Sequence, residues 1–237
     1  MKNHKKYLLL AAVAVIILIT AIVLRFSQDQ EIIPEKQIEN INIKEAQAQT
    51  YVASQAPTLK DDDKVFGSLD APLKIFVYED YADLYSANLA DTLEKIYQEN
   101  KQQVAIIVRP FIQENSLLSK SAAQALACAA EKGNWKEMRA LLFTNVKNNQ
   151  LSVDSFNAYA RSLDLNENDF TTCLTNFQKS EKIEQLVLAA KKYSVLGAPT
   201  MFVNDEMILG ARPYEDYIDS NGDKIEGLKT VVGRMIK

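Results

Sequence analysis

The sequence predicts an α/β domain, a small sheet layer split by a helical subdomain, preceded by an N-terminal transmembrane helix. Three observations carry this reading. An uncharged apolar run, Tyr7–Leu24, precedes a polar stretch. Two apolar β-rich runs, Leu73–Tyr78 and Gln103–Arg109, flank a helical pattern from Ser86 to Glu99. A long helical tract then separates them from a β-rich pair, Thr200–Val203 and Met207–Leu209.

The apolar run is 18 residues long, at the lower end of the roughly 17–25 needed for a helix to cross a bilayer. Lys2, Lys5 and Lys6 precede it, while Asp29, Glu31 and Glu35 follow Arg25. The basic excess orients the N-terminus inward. We therefore expect a cytoplasmic tail over residues 1–6, a signal-anchor helix over 7–25, and a folded part outside the cytoplasm. A cleaved signal peptide and a buried helix are the competing readings. The run exceeds a usual signal h-region, and Leu24-Arg25-Phe26 offers no small-x-small cleavage site.

Residues 26–64 are rich in Gln, Glu, Asn, Lys and Asp and close on Asp61-Asp62-Asp63-Lys64. They read as a polar spacer with room for one short helix between Pro34 and Pro57. The domain is expected over residues 65–237. Leu73–Tyr78 has the continuous apolar character of an interior strand. In the following helix Leu89, Leu93, Ile96 and Tyr97 recur at helical spacing, and Pro110 stops the second strand. Strand, helix and strand in this order form a parallel crossover unit.

The helical insert covers about 115–194. It contains an alanine-rich helix at Ser119–Glu131, one at Trp135–Val146, and one at Ser152–Leu163 that Ser152 is placed to cap. Asn168–Phe177 and Glu181–Tyr193 add two more. Trp135, Phe143 and Phe156 read as core. After Gly197-Ala198-Pro199, a hairpin turns at Asn204-Asp205, and Pro213 begins the expected last helix.

Composition narrows the chemistry. A net charge of -4 and a pI near 5.2 argue against a nucleic-acid partner. One histidine, His4, lies in the N-terminal tail, which leaves the domain no histidine base or multi-histidine metal site. Two cysteines are too few for a four-thiolate site or a disulfide-dense scaffold.

Four stretches resemble the DsbA-like thiol-disulfide oxidoreductases of the thioredoxin fold, in their membrane-anchored bacterial branch. They are Phe66-Gly67-Ser68-Leu69-Asp70-Ala71-Pro72-Leu73, Val77-Tyr78-Glu79-Asp80-Tyr81, Ala122 to Phe143, and Val195–Asn204 followed by Gly210-Ala211-Arg212-Pro213-Tyr214. The resemblance implies a thioredoxin-like fold with an inserted helical subdomain. It also implies a Cys-x-x-Cys at the start of the helix after the first core strand. Here that position reads Asp83-Leu84-Tyr85-Ser86. Disulfide exchange needs a thiolate and a resolving thiol one helical turn away, and neither residue supplies one. Aspartate at the helix start instead suits an N-cap.

Cys128 and Cys173 lie in separate insert helices and, outside the cytoplasm, read as a structural disulfide, which the resemblance supports. Two free thiols or an exchange-active pair are the alternatives. The resemblance further implies a cis Ala198-Pro199 bond. The loop with Ala198, Pro199 and Thr200, beside Tyr81, Leu84 and Tyr85, is then either a peptide-binding ledge or retained for folding alone. Glu79, Asp80 and Asp83 could pair for acid-base work or bind a hard cation. Adjacent strand-end carboxylates diverge, however, so capping and local hydrogen bonding are the expected roles. We expect no catalytic residue, no metal and no cofactor. The expected function is a membrane-anchored module that binds or scaffolds an exported protein or peptide, with the bilayer engaged through residues 7–25. The alternatives are a thiol-disulfide oxidoreductase or isomerase using Cys128 and Cys173, and a chaperone-like peptide binder.

Overall fold

The computed structural model describes residues 50–52, 55–113 and 116–236, all within one unit, Ala46–Lys237. The expected tail, anchor and spacer helix lie outside the described residues. Among those described, no helix is long and apolar enough to cross a membrane.

The central strand β3 (Leu73–Glu79) runs parallel to β4 (Val104–Pro110), and helix α1 (Leu84–Glu99) makes the crossover between them. The hairpin of β5 (Thr200–Val203) and β6 (Glu206–Leu209) turns at Asn204-Asp205 as expected, and β5 lies antiparallel to β3. Alternate residues of each strand point to opposite faces, and both faces are covered. Ile75, Val77, Ile106 and Val203 pack with Leu89 and Leu93 of α1 and with Met138 and Leu142 of the insert. Phe76, Tyr78, Ile107 and Phe202 pack on the other side with Ala190 and Val195. Burial on two faces is why these strands read as unbroken apolar runs.

Two further strands lie where a spacer was expected or at its edge. β1 (Thr50–Val52) pairs with β6, and β2 (Lys64–Phe66) pairs with β4, giving the sheet order β1-β6-β5-β3-β4-β2. The domain therefore begins before residue 65. Asp63, read as part of the polar spacer, has a buried side chain paired to Arg109 at 2.7 Å. Arg109 also donates to the Thr58 carbonyl at 2.6 Å and to the Tyr78 hydroxyl at 3.2 Å. This cluster fastens the incoming chain to β4.

The insert comprises α2 (Leu117–Ala130), α3 (Trp135–Lys147), α4 (Phe156–Ser162), α5 (Glu167–Leu174) and α6 (Phe177–Lys191). The expected Ser152 cap is not made. Its hydroxyl bonds Ser155 Oγ at 3.0 Å, and a single 3-10 turn, Val153–Ser155, precedes α4.

The C-terminal region departs most from expectation. The helix predicted from Pro213 is a short hairpin, β7 (Tyr217–Ile218) with β8 (Lys224–Ile225), and α7 spans only Leu228–Met235. The Asp219 side chain accepts from the Asn221 and Asp223 amides, both at 2.9 Å, and Gly222 takes φ 87°. That Asp-Ser-Asn-Gly turn outcompetes helix continuation. Gly227 then seats α7, because an added Cβ would lie 2.2 Å from the Glu215 carbonyl carbon. Gly227→Ala is expected to destabilise the domain by about 1–3 kcal/mol, as overpacking does. Urea denaturation showing no loss would refute that close approach.

Candidate functional site

The site is built where β3 ends and α1 begins. Asp83 is the N-cap of α1, and its carboxylate accepts from the Ser86 amide at 2.6 Å. The first turn thus acquires the acceptor its free amides need. Ser86 is fully buried, and its hydroxyl accepts from the Asp80 amide at 3.2 Å. Leu84 and Tyr85 face solvent, 49% and 66% exposed. The tetrad is therefore a cap, two exposed apolar side chains and a buried hydroxyl, with no thiol.

Opposite this turn lies the loop before β5. The Ala198-Pro199 bond is cis, Thr200 donates its hydroxyl to the Gly197 carbonyl at 2.8 Å, and the Gly210 amide bonds the Pro199 carbonyl at 2.9 Å. A groove of about 500 Å³ joins the two segments, lined by Asp80, Asp83, Phe111, Leu196 and Ala198 among others. It continues over Ile112, Gln113, Val187 and Lys191 into a second depression of about 540 Å³ flanked by Leu117 and Leu188. Leu117, Leu188 and Leu196 are 72%, 61% and 82% exposed. The groove has exposed apolar rims, and Gly197 and Ala198 of the loop before Pro199 form part of its wall.

Three residues expected on this surface are not there: Pro199 is buried, so Gly197 and Ala198 are the part of its loop that lines the groove, and Tyr81 and Thr200 are buried as well. Tyr81 is 1% exposed and packs on Phe143, ring centroids 5.8 Å apart. The turn after Asp80 directs it into the core. Thr200 is 2% exposed, and its hydroxyl serves the loop itself.

The acidic residues diverge, as adjacent strand positions do. Glu79 is fully buried and forms a two-pronged pair with Arg139 of α3, Nε to Oε2 at 2.8 Å. The guanidinium lies over Phe143 at 4.9 Å and Phe66 at 5.4 Å. Asp80 turns the other way and accepts from the Ala82 amide at 2.9 Å and the Gln113 amide at 3.2 Å. Burial holds its carboxyl above the ordinary aspartate range, against the opposing pull of those hydrogen bonds. A carboxyl whose folded pKa is raised supports the fold fully below its unfolded value, and that support is lost as pH rises through the elevated value. Asp80→Asn is expected to flatten this part of the stability profile in the pH range from the ordinary aspartate value upward. Identical profiles for variant and parent, from urea melts across that range, would refute the assignment.

Cys128 and Cys173 form a disulfide with Cα atoms 5.9 Å apart, joining α2 to α5. Cys128 is 4% exposed, and neither cysteine lines the groove. Among the described residues, no group of three or more His, Cys, Asp or Glu side chains could hold a metal ion. Arg139 and Arg109 escaped the sequence reading. Their carboxylate partners lie 60 and 46 positions away, and a lone basic residue among apolar ones was the only signal.

A family model described as thioredoxin matches residues 59–219. The Na(+)/H(+) antiporter NhaA 3 of Salinispora tropica is 28% identical over 148 residues, 62% of this chain. The match takes in 22% of that protein, so the chain spans about a fifth of its length. Among solved structures, alpha-DsbA1 of Wolbachia pipientis is 18% identical with a TM-score of 0.57, covering 75% of this chain and 90% of that one. The thiol-disulfide exchange protein alpha-DsbA2 of the same organism is 14% identical with a TM-score of 0.56, covering 73% and 85%. A periplasmic thioredoxin-like protein of Salmonella enterica serovar Typhimurium is 22% identical with a TM-score of 0.56, covering 73% and 90%. At these identities the likeness is one of fold. The β3-α1-β4 crossover, the β5-β6 hairpin behind a cis-proline and the family match over residues 59–219 agree, and the chain belongs to the thioredoxin family.

Proposed function

We propose that this chain is a membrane-anchored, extracytoplasmic, DsbA-like protein that has lost the redox dithiol and binds a peptide or protein segment without catalysis. One observation carries the reading. The start of α1 holds the Asp83 cap and the buried Ser86 hydroxyl, so the position that resembles a Cys-x-x-Cys supplies neither a nucleophilic nor a resolving thiol. The groove beside the Pro199 loop supports the binding part, since it keeps apolar rims and the exposed Leu196 and Gly197 in its wall without the thiols. The Tyr7–Leu24 run and its flanking charges support a single span, with the N-terminus cytoplasmic and the domain at the cell surface or in a periplasm. The partner is an exported protein or peptide.

Thiol-disulfide exchange through Cys128 and Cys173 is the second reading, favoured by the disulfide and by the half-buried position of Cys173. The test compares reduction of a model protein disulfide by the purified full chain, by Cys128→Ser and Cys173→Ser, and by the double variant Asp83→Cys/Ser86→Cys. The parent is expected to show no turnover and the double variant to gain it, since the new thiols stand one turn apart at a helix N-terminus. Parent turnover that either serine variant abolishes, with the fold intact, would replace our reading with the second. Photocrosslinking in membranes from a probe at Tyr85 is expected to capture a discrete partner. Absence of any probe-dependent adduct would argue against a binding groove.

A further inference from the structure

A second cavity, about 270 Å³ in volume, lies between α2 and α6 and shares no lining residue with the Pro199 groove. Ala123, Ala127 and Ala130 of α2 line it at helical spacing, and Leu126, Ile183 and Leu186 complete its apolar walls. The small side chains leave the volume open.

Two polar features set the chemistry of an occupant. Tyr81 forms part of the wall, and its buried hydroxyl has no hydrogen-bond partner among the described residues. An orphaned buried hydroxyl costs stability that an acceptor would recover. At the rim stand Lys179, paired with Glu131, and Lys182, paired with Asp62 at 2.8 Å. Both carboxylates are about half exposed, 55% and 46%, and ion pairs open to solvent on one side are weak. An incoming carboxylate can therefore replace either at little loss. Arg109 also lines the cavity, but Asp63, Tyr78 and the Thr58 carbonyl already occupy its donors.

We propose that this cavity binds a small aromatic carboxylate that carries a hydrogen-bond acceptor at the far end of its ring. The carboxylate meets Lys179 and Lys182, the ring lies between the alanine face of α2 and Ile183 with Leu186, and the acceptor takes the Tyr81 hydroxyl proton in a hydrogen bond. Size agrees, since an engineered apolar cavity of about 150 Å³ holds benzene, and this one has room for a ring with two substituents. Leu186 lines this cavity and Val187 the groove, so an occupant sits one residue along α6 from the proposed peptide site.

The test titrates 4-acetylbenzoate into the full chain in lipid nanodiscs and follows the methyl resonances of Leu126, Ile183 and Leu186. Saturable shifts are expected with a Kd of about 1 mM or tighter, the range open to a ligand of this size. Benzoate, lacking the acceptor, and acetophenone, lacking the charge, are each expected to bind roughly five- to tenfold more weakly. Tyr81→Phe is expected to abolish the preference for 4-acetylbenzoate over benzoate. Ala127→Leu, which fills the cavity, is expected to abolish binding of both, and Ala130→Leu provides the same block should Ala127→Leu fail to fold. No saturable shift up to about 10 mM, an order above the expected Kd, would overturn the site. So would an unchanged preference in Tyr81→Phe, or full binding by a folded, filled variant.

Discussion

Arg139→Met is expected to destabilise the domain by about 3–5 kcal/mol, the cost of leaving one buried charge of a pair without its partner. For a domain of this size that lowers the thermal midpoint by roughly 10 °C. Glu79 has no exposed side-chain surface and Arg139 only 10%, so the orphaned carboxylate could not turn to water. Its field would fall on Tyr81, whose hydroxyl burial already holds above the ordinary tyrosine range, with Glu79 adding to the effect. Arg139→Lys recovers only part of the loss, because an ammonium cannot make the two-pronged contact or stack on Phe66 and Phe143 as the guanidinium does. The double variant Glu79→Leu/Arg139→Met separates the pair from its desolvation cost. It is expected to lie closer to the parent than the sum of the two single variants, since apolar replacement of a buried pair is often near neutral. Guanidinium melts of all four proteins give the coupling. A single-variant loss below about 1 kcal/mol, the range of an exposed pair, would refute the burial argued for this contact.

The pair also marks where sequence reasoning stopped. Strands β3 and β4 were legible because their burial on two faces writes itself as an apolar run, and α1 because Leu89, Leu93 and Ile96 repeat at helical spacing. Asp83 was legible as a cap because capping is local: donor and acceptor lie three residues apart. Strands β1 and β2 were not, because three-residue edge strands owe their existence to the partner they pair with rather than to their own pattern. Asp63 looked like one more charge in an acidic run, and only the fold brings Arg109 to it. Tyr81 failed for a related reason. It stands two residues from Asp83 in sequence, but the turn that points Asp83 at the groove points Tyr81 into the core. The hairpin before α7 was hidden by apolar residues that fit a helix equally well. Asp63, Glu79 and Arg139 depended on contacts from far along the chain, whereas Ser152, Thr200 and the Asp219 turn were misplaced because one local hydrogen bond won over another.

Cys128 and Cys173 give the last expected result, because the same two atoms decide between a brace and an active pair. Their separation of 45 residues corresponds to about 4 kcal/mol of lost loop entropy in the unfolded chain. Cys128→Ser, Cys173→Ser and the double variant are therefore expected to lose stability by the same amount, within about 0.5 kcal/mol, since opening the loop once removes the whole effect. The midpoint in urea moves while peptide binding to the Pro199 groove persists under native conditions, because neither cysteine lines the groove. The parent in reductant is expected to fall to the level of the serine variants. A dedicated exchange pair predicts a different pattern. It would be reduced readily at a mild potential and would form mixed disulfides with a thiol partner, with little stability at stake in its opening. Cys128 is 4% exposed, so attack on its sulfur requires α2 and α5 to separate first, and a thiol meeting the folded chain has only the half-buried Cys173 sulfur to approach. Reduction of the native chain in mild thiol, without any change in urea midpoint, would assign the bond to exchange rather than to holding the insert together.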